Sequence, residues 1–262
     1  MFSQLLKYIA FIFNSKSKYA IHSPFVYDFI EEIVENSTQF YSFLAVEHIR
    51  NKLKNNHQKI NVIDLGAGSK KKKQQYRKVS KIAKNSLQHK HMAQLLFRLI
   101  NHYQLNPNVI ELGTSLGVTT SYLSLANKKN KIISIEGSQE IAGVASEVFK
   151  SLGLKNIELK VGNFDDVLPR LLANQKAGLI YIDGNHTKAA TLNYFLWSLE
   201  KIDENSIIVF DDIYWSDQME EAWKEIVNNK RVTLSIDLFK MGIVFFHPSI
   251  VKEHYKLRKA IF

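Results

Sequence analysis

Val109-Ile110-Glu111-Leu112-Gly113-Thr114-Ser115-Leu116-Gly117-Val118 reads as an apolar strand running through a glycine turn into a helix. Gly113 lets the backbone bend sharply beside a ligand, and Gly117 lets the helix N-terminus approach closely. Val118, Tyr122, Leu125 and Ala126 form the apolar face of that helix. A pyrophosphate-binding turn needs Gly-x-Gly-x-x-Gly. Here the second and third positions are Ser115 and Val118, which disfavours a dinucleotide.

From Pro107 onward, short apolar runs alternate with helical stretches. The strands fall at Val109–Leu112, Lys131–Ile135, Ile157–Lys160, Leu179–Ile182 and Ile207–Phe210. The helices fall at Val118–Asn127, Gln139–Leu152, Asp165–Leu172, Lys188–Lys201 and Gln218–Asn228. Such alternation predicts βαβ units and a parallel sheet covered on both faces. Two last runs, Val232–Phe239 and Ile243–His247, have only Lys240-Met241-Gly242 between them and must pair as a hairpin.

The second strand ends in Glu136, 23 residues beyond Gly113, followed by Gly137. An acid at this offset is placed to bind ribose hydroxyls. Glu111-x-Gly113-x-x-x-Gly117 resembles the first motif of class I methyltransferases, which bind S-adenosylmethionine (SAM). Five parallel strands closed by a hairpin resemble the same family, a Rossmann-like α/β fold. The resemblance implies a SAM site at Glu111, Gly113, Thr114, Ser115, Gly117, Glu136, Gly137 and Asp183. Asn163 and Phe164, after the third strand, would border the adenine.

A second glycine turn, Asp64-Leu65-Gly66-Ala67-Gly68-Ser69, looks more like that motif, but Lys70–Lys73 follow it instead of an apolar helix face. No strand ending in an acid follows at the required offset.

Asp183-Gly184-Asn185-His186 and Asp211-Asp212 end the fourth and fifth strands, where ligands bind in open α/β sheets. Three converging carboxylates repel one another and call for a cation or a positively charged ligand. The arrangement resembles the metal-dependent, catechol-type O-methyltransferases and their bacterial relatives. That resemblance implies Mg²⁺ or another divalent ion on Asp183, Asp211 and Asp212. Asp212 stands where the family has Asn, and His186 where it has a Lys base. His186 and Asp183 are thus the catalytic candidates, His186 as acceptor of a hydroxyl proton.

The 262 residues divide into a mostly helical extension, 1–106, and a methyltransferase core, 107–262. Helices are expected at Phe2–Phe13, Pro24–Glu35, Ser42–Lys54, Gln75–Lys84 and Lys90–Tyr103, with one strand at Ile60–Leu65. The extension would act as a lid. Ten of the chain's 35 Lys and Arg lie between Leu65 and Ile110, with no Asp or Glu among them. The rest of the chain is balanced, so the net charge of +10 belongs to this Lys-rich segment, centred on 65–90. It favours a small anionic, hydroxylated acceptor. A nucleic-acid substrate is the main alternative and a non-catalytic SAM-binding protein the second. No cysteine is present, which excludes thiol nucleophiles and Cys-bound metals and fits a cytoplasmic setting. No run is long enough to span a membrane. The apolar first helix suits docking on its own domain or on a homodimer partner better than membrane binding.

Overall fold

The computed structural model of the chain describes residues 2–63, 74–103, 105 and 108–258. The extension begins with α1 (Phe2–Asn14), α2 (Pro24–Phe29, continued by a π-helical turn over Ile30–Val34) and α3 (Tyr41–Lys54). A two-stranded antiparallel ribbon follows, β1 (Lys59–Ile63) and β2 (Gln74–Lys78), then α4 (Val79–Ser86) and α5 (Lys90–His102). The second glycine turn and the Lys70–Lys73 run lie outside the described residues.

The core alternates strand and helix: β3 (Asn108–Leu112), α6 (Val118–Ala126), β4 (Lys131–Glu136), α7 (Gln139–Ser151), β5 (Ile157–Val161), α8 (Phe164–Asn174), β6 (Leu179–Ile182), α9 (Lys188–Leu199), β7 (Ile207–Asp211) and α10 (Asp217–Asn228). It closes with β8 (Leu234–Asp237), β9 (Met241–Phe245) and β10 (Glu253–Lys256). One eight-stranded sheet results, in the order β10-β8-β9-β7-β6-β3-β4-β5. β3 to β7 are parallel, and β9 runs antiparallel between β7 and β8. The expected Rossmann-like methyltransferase sheet is thus present, with one more strand than the sequence suggested.

Alternating strand residues build the two halves of the core. Val109, Ile132, Leu179, Tyr181 and Val209 face a layer made by α6, α7 and the extension, including Phe29, Phe43 and Leu96. Ile110, Ile133, Ile180, Ile208 and Phe210 face α8, α9 and α10 through Leu168, Phe195 and Trp223. Both faces of the central strands are covered, which explains why the parallel strands are mostly apolar.

Two elements depart from expectation. The helix expected over Gln75–Lys84 is split into β2 and α4. β1 needs a ladder partner, and residues 74–78 supply it, with Ile60 opposite Arg77 and Val62 opposite Gln75. Tertiary pairing there overrides helix propensity. α4 starts only at Val79, where Val79, Ile82 and Ala83 give a buried stripe. The edge strand β10 reads Glu-His-Tyr-Lys and buries only Tyr255. Charged edge strands resist further pairing, and for the same reason carry little apolar signal.

Candidate active site

The carboxyl ends of β3, β4, β6 and β7 open onto one cleft of about 590 Å³. That is within the usual range for small-molecule sites. Gly113 lies on its floor with φ +103°, and a Cβ there would run into the carbonyl oxygen of Asp183. Gly117, φ +79°, caps α6 and leaves room for the Phe149 ring, 2.6 Å from where a Cβ would be. Gly117 and Thr114 stand behind the cleft rather than on its wall. The Thr114 Oγ1 and Ser134 Oγ hydroxyls are 2.5 Å apart in the buried core.

Glu136 is on the wall. Its two carboxylate oxygens accept from the amides of Ser115 and Ser138, both at 2.9 Å. Burial pushes this carboxyl up, and the backbone amides oppose the shift. Held this way, the carboxylate has a fixed direction and lone pairs left for a diol. Gly137 lines the cleft beside it, and Asn163 and Phe164 border the same space. Phe164 packs against Gly184, where a Cβ would come within 2.6 Å of the ring.

Glu111 takes a different position from the one its motif suggested. It is completely buried beneath the turn and off the cleft wall. Oε2 accepts from the hydroxyls of Thr120 and Ser134, each at 2.5 Å, while Oε1 has no partner. Burial pushes its carboxyl up to about 8, against the pull of those two hydroxyls. The group is therefore a buried, mostly protonated acid at neutral pH.

Asp183, Asp211, Asp212 and His186 all reach the opposite wall. Asp183 Oδ2 accepts from the Tyr181 hydroxyl at 3.2 Å, and His186 Nε2 is 3.6 Å from Asp183 Oδ1. Burial raises the Asp183 carboxyl to about 6, opposed by His186 and reinforced by Asp212. Asp211 is raised well above the carboxylate range by burial, then by Asp183 and Asp212. Asp183 and Asp211 therefore resist ionising together.

The expected metal triad is not formed. Among the described residues no group of three His, Asp or Glu is arranged to hold an ion. Protein donors already occupy the three carboxylates. Gln88 Nε2 donates to Asp211 Oδ1 at 2.7 Å, Tyr181 to Asp183, and Lys240 Nζ to Asp212 Oδ1 at 3.4 Å. As arranged, these residues do not fit a divalent cation.

Gln88, Tyr181 and Lys240 are the site residues that sequence reasoning missed. Gln88 comes from the α4–α5 loop of the extension, and its backbone carbonyl accepts from Arg50 Nη1 at 2.7 Å. Its amide nitrogen also donates to the Tyr181 hydroxyl at 3.0 Å. Gln88→Leu should therefore lower stability by about 1–3 kcal/mol in urea denaturation, since it leaves Asp211 without its donor. A change within about 0.5 kcal/mol would show that the bridge is not made in solution.

Among the described residues, four non-glycines have left-handed backbone: Ser115 (φ 49°), Asn185 (50°), Asp212 (50°) and Phe239 (67°). The first three line the cleft, and Phe239 precedes Lys240, which also lines it.

Residues 110–213 match the family model described as a methyltransferase domain. No curated protein matches the chain. Among solved structures, the chain is similar to the O-methyltransferase from Bacillus cereus in complex with S-adenosylhomocysteine, at 15% identity and TM-score 0.56, over 84% of this chain and 96% of that one. It is also similar to the O-methyltransferase TomG from Streptomyces achromogenes in complex with SAM, at 17% identity and TM-score 0.55, over 62% and 82% of the two chains. A third likeness is to a putative caffeoyl-CoA O-methyltransferase from Staphylococcus aureus, at 12% identity and TM-score 0.56, over 64% and 88%. With the parallel sheet, the glycine turn over Asp183 and the tethered Glu136 in place, the chain has the Rossmann-like fold of the class I methyltransferases, and its residues 110–213 match a methyltransferase domain.

Proposed function

We propose that the chain transfers a methyl group from SAM to a hydroxyl oxygen of a small, anionic acceptor. The observation that carries this reading is the His186–Asp183 pair on the wall facing Glu136, in the same cleft. When bound, SAM supplies an electrophilic methyl group on its sulfonium sulfur.

The chain's own residues then divide the work. Glu136, fixed by two amides, accepts the ribose hydroxyls, and Gly113 lets the backbone approach the ligand. Phe164 and Asn163 border the adenine. His186 takes the acceptor's hydroxyl proton, and the Asp183 carboxylate, 3.6 Å from Nε2, stabilises the imidazolium that forms. Arg77 and Lys240 on the same lining supply positive charge for an anionic group of the acceptor. Positioning and exclusion of water account for the rest, because the methyl donor arrives already activated. The residues as arranged do not fit a metal ion, so no step passes through one. The nucleic-acid alternative drew on the basic segment with Tyr76, His89, His91 and Tyr103, of which Lys70–Lys73 lie outside the described residues.

Calorimetric titration with SAM tests the cofactor. Release of S-adenosylhomocysteine across a panel of hydroxylated aromatic carboxylic acids tests the transfer. His186→Ala should lower kcat by roughly 10²–10⁴ with SAM affinity unchanged. Saturable SAM binding with no turnover across the panel would favour the non-catalytic alternative. Failure to bind SAM would sink the proposal outright.

A further inference from the structure

The first helix is built inside out. A surface helix turns its polar residues to solvent and its apolar stripe inward. In α1 the sole charge, Lys7, points inward, with Nζ 2.6 Å from Asp217 and 3.0 Å from Glu220. Gln4 also faces the protein, and its Nε2 donates to the Trp215 carbonyl at 3.4 Å. Phe11 is buried against Phe239, and the Tyr8 ring meets Phe239 edge-on at 4.9 Å. The outward arc is apolar up to Asn14 at its end: Leu5 is 55% exposed, Leu6 53%, Ile9 43% and Phe13 84%, with exposed Ala10 among them. At about 100° per residue these five share an arc of about 140°.

Two neighbouring features indicate what covers this face. At its C-terminal end are two cations. Arg258 Nη1 donates to the Ile12 carbonyl at 3.2 Å, and Lys16 Nζ lies 5.5 Å from the centre of the Tyr255 ring. Neither has an acidic partner among the described residues. At its N-terminal end is Trp215, 56% exposed, which also forms the rim of the cleft. An apolar stripe between exposed cations and a Trp matches the chemistry of an anionic lipid interface. A second copy of the chain suits the face less well. Thirteen residues span about 20 Å, and a helix is about 10 Å wide, so the footprint is on the order of 200 Å². A stable dimer needs about 800 Å² from each partner. A lipid surface sets no such minimum, because the helix sinks into it.

We infer that α1 docks the protein on an anionic lipid surface, which sets the rim of the cleft at Trp215 against the headgroups. Among the described residues no helix is long and apolar enough to cross a membrane, so α1 lies in the interface plane.

Co-sedimentation of the full chain with vesicles tests this, using equimolar phosphatidylglycerol and phosphatidylcholine against pure phosphatidylcholine. The expected result is binding to the anionic vesicles that weakens in high salt. The triple variant Leu5→Ser, Ile9→Ser, Phe13→Ser should bind at least about tenfold more weakly. Its SAM affinity and thermal unfolding should match the unmodified chain, because the three side chains point into solvent. Lys16→Glu with Arg258→Glu should remove most of the salt-sensitive part. Absence of binding to anionic vesicles would overturn the inference, as would equal binding by the triple variant. A stable dimer in light scattering that the triple variant dissociates would assign the face to a second copy instead. SAM binding is read separately, so failure of docking leaves the methyl-transfer proposal standing, and the converse holds too.

Discussion

Replacing Glu111 by glutamine should flatten the dependence of stability on pH. Below about pH 4.5 the carboxyl is protonated in both the folded and the unfolded chain. As pH rises, the unfolded chain ionises first, while burial keeps the proton on the folded chain up to about 8. The folded state then binds more protons, so stability falls across this window and levels off above it. The loss for Glu111 alone is on the order of 5 kcal/mol. Urea denaturation of both proteins between pH 5 and 9 gives the difference directly. Asp183, Asp211 and Glu136 are shifted in the same direction, but they remain in both proteins and largely cancel. Parallel curves would mean that Glu111 titrates like an exposed carboxylate, and the buried network with Thr120 and Ser134 would be wrong.

The second large effect is expected at Gly113. Alanine there meets two obstacles, a positive φ and the Asp183 carbonyl. Left-handed backbone costs about 1–2 kcal/mol, and a forced shift of packed groups about 1–3 kcal/mol more. Since the displaced atoms form the cleft floor, SAM affinity should fall by about a hundredfold or more, measured by calorimetry. Gly143→Ala is the control, because nothing lies within 4 Å of its Cβ position in α7. It should be neutral or raise stability by up to about 1 kcal/mol. Equal behaviour of the two variants would show that the turn tolerates a side chain and that the contact with Asp183 is loose.

What the sequence revealed, and what it hid, follows from how far each signal reaches. The strands β3 to β7 and their helices were legible because both faces of most of the sheet are covered, which makes most strand residues apolar. Gly113 and Glu136 were legible from a spacing within one βαβ unit. Gln88 was not, since its partners Tyr181 and Asp211 lie 93 and 123 residues away. Tyr181 looked like an ordinary strand residue, although its hydroxyl meets both Asp183 and Gln88. Lys240 was read only as a hairpin turn. The burial of Glu111 was hidden for a related reason. Its motif neighbours suggest a ligand, but the serine and threonine that enclose it come from β4 and α6.

The left-handed residues Ser115, Asn185 and Asp212 have a consequence for evolution under heat. Each keeps a side chain where glycine would be more comfortable, at a cost of order 1–3 kcal/mol. Selection for thermal tolerance alone would therefore push these positions toward glycine. The same changes would slacken the loops that hold His186, Asp183 and Asp211 in register. A heat-adapted form of this chain should accordingly find its added stability elsewhere, in packing or surface charge, and leave this ring of uncomfortable residues unchanged.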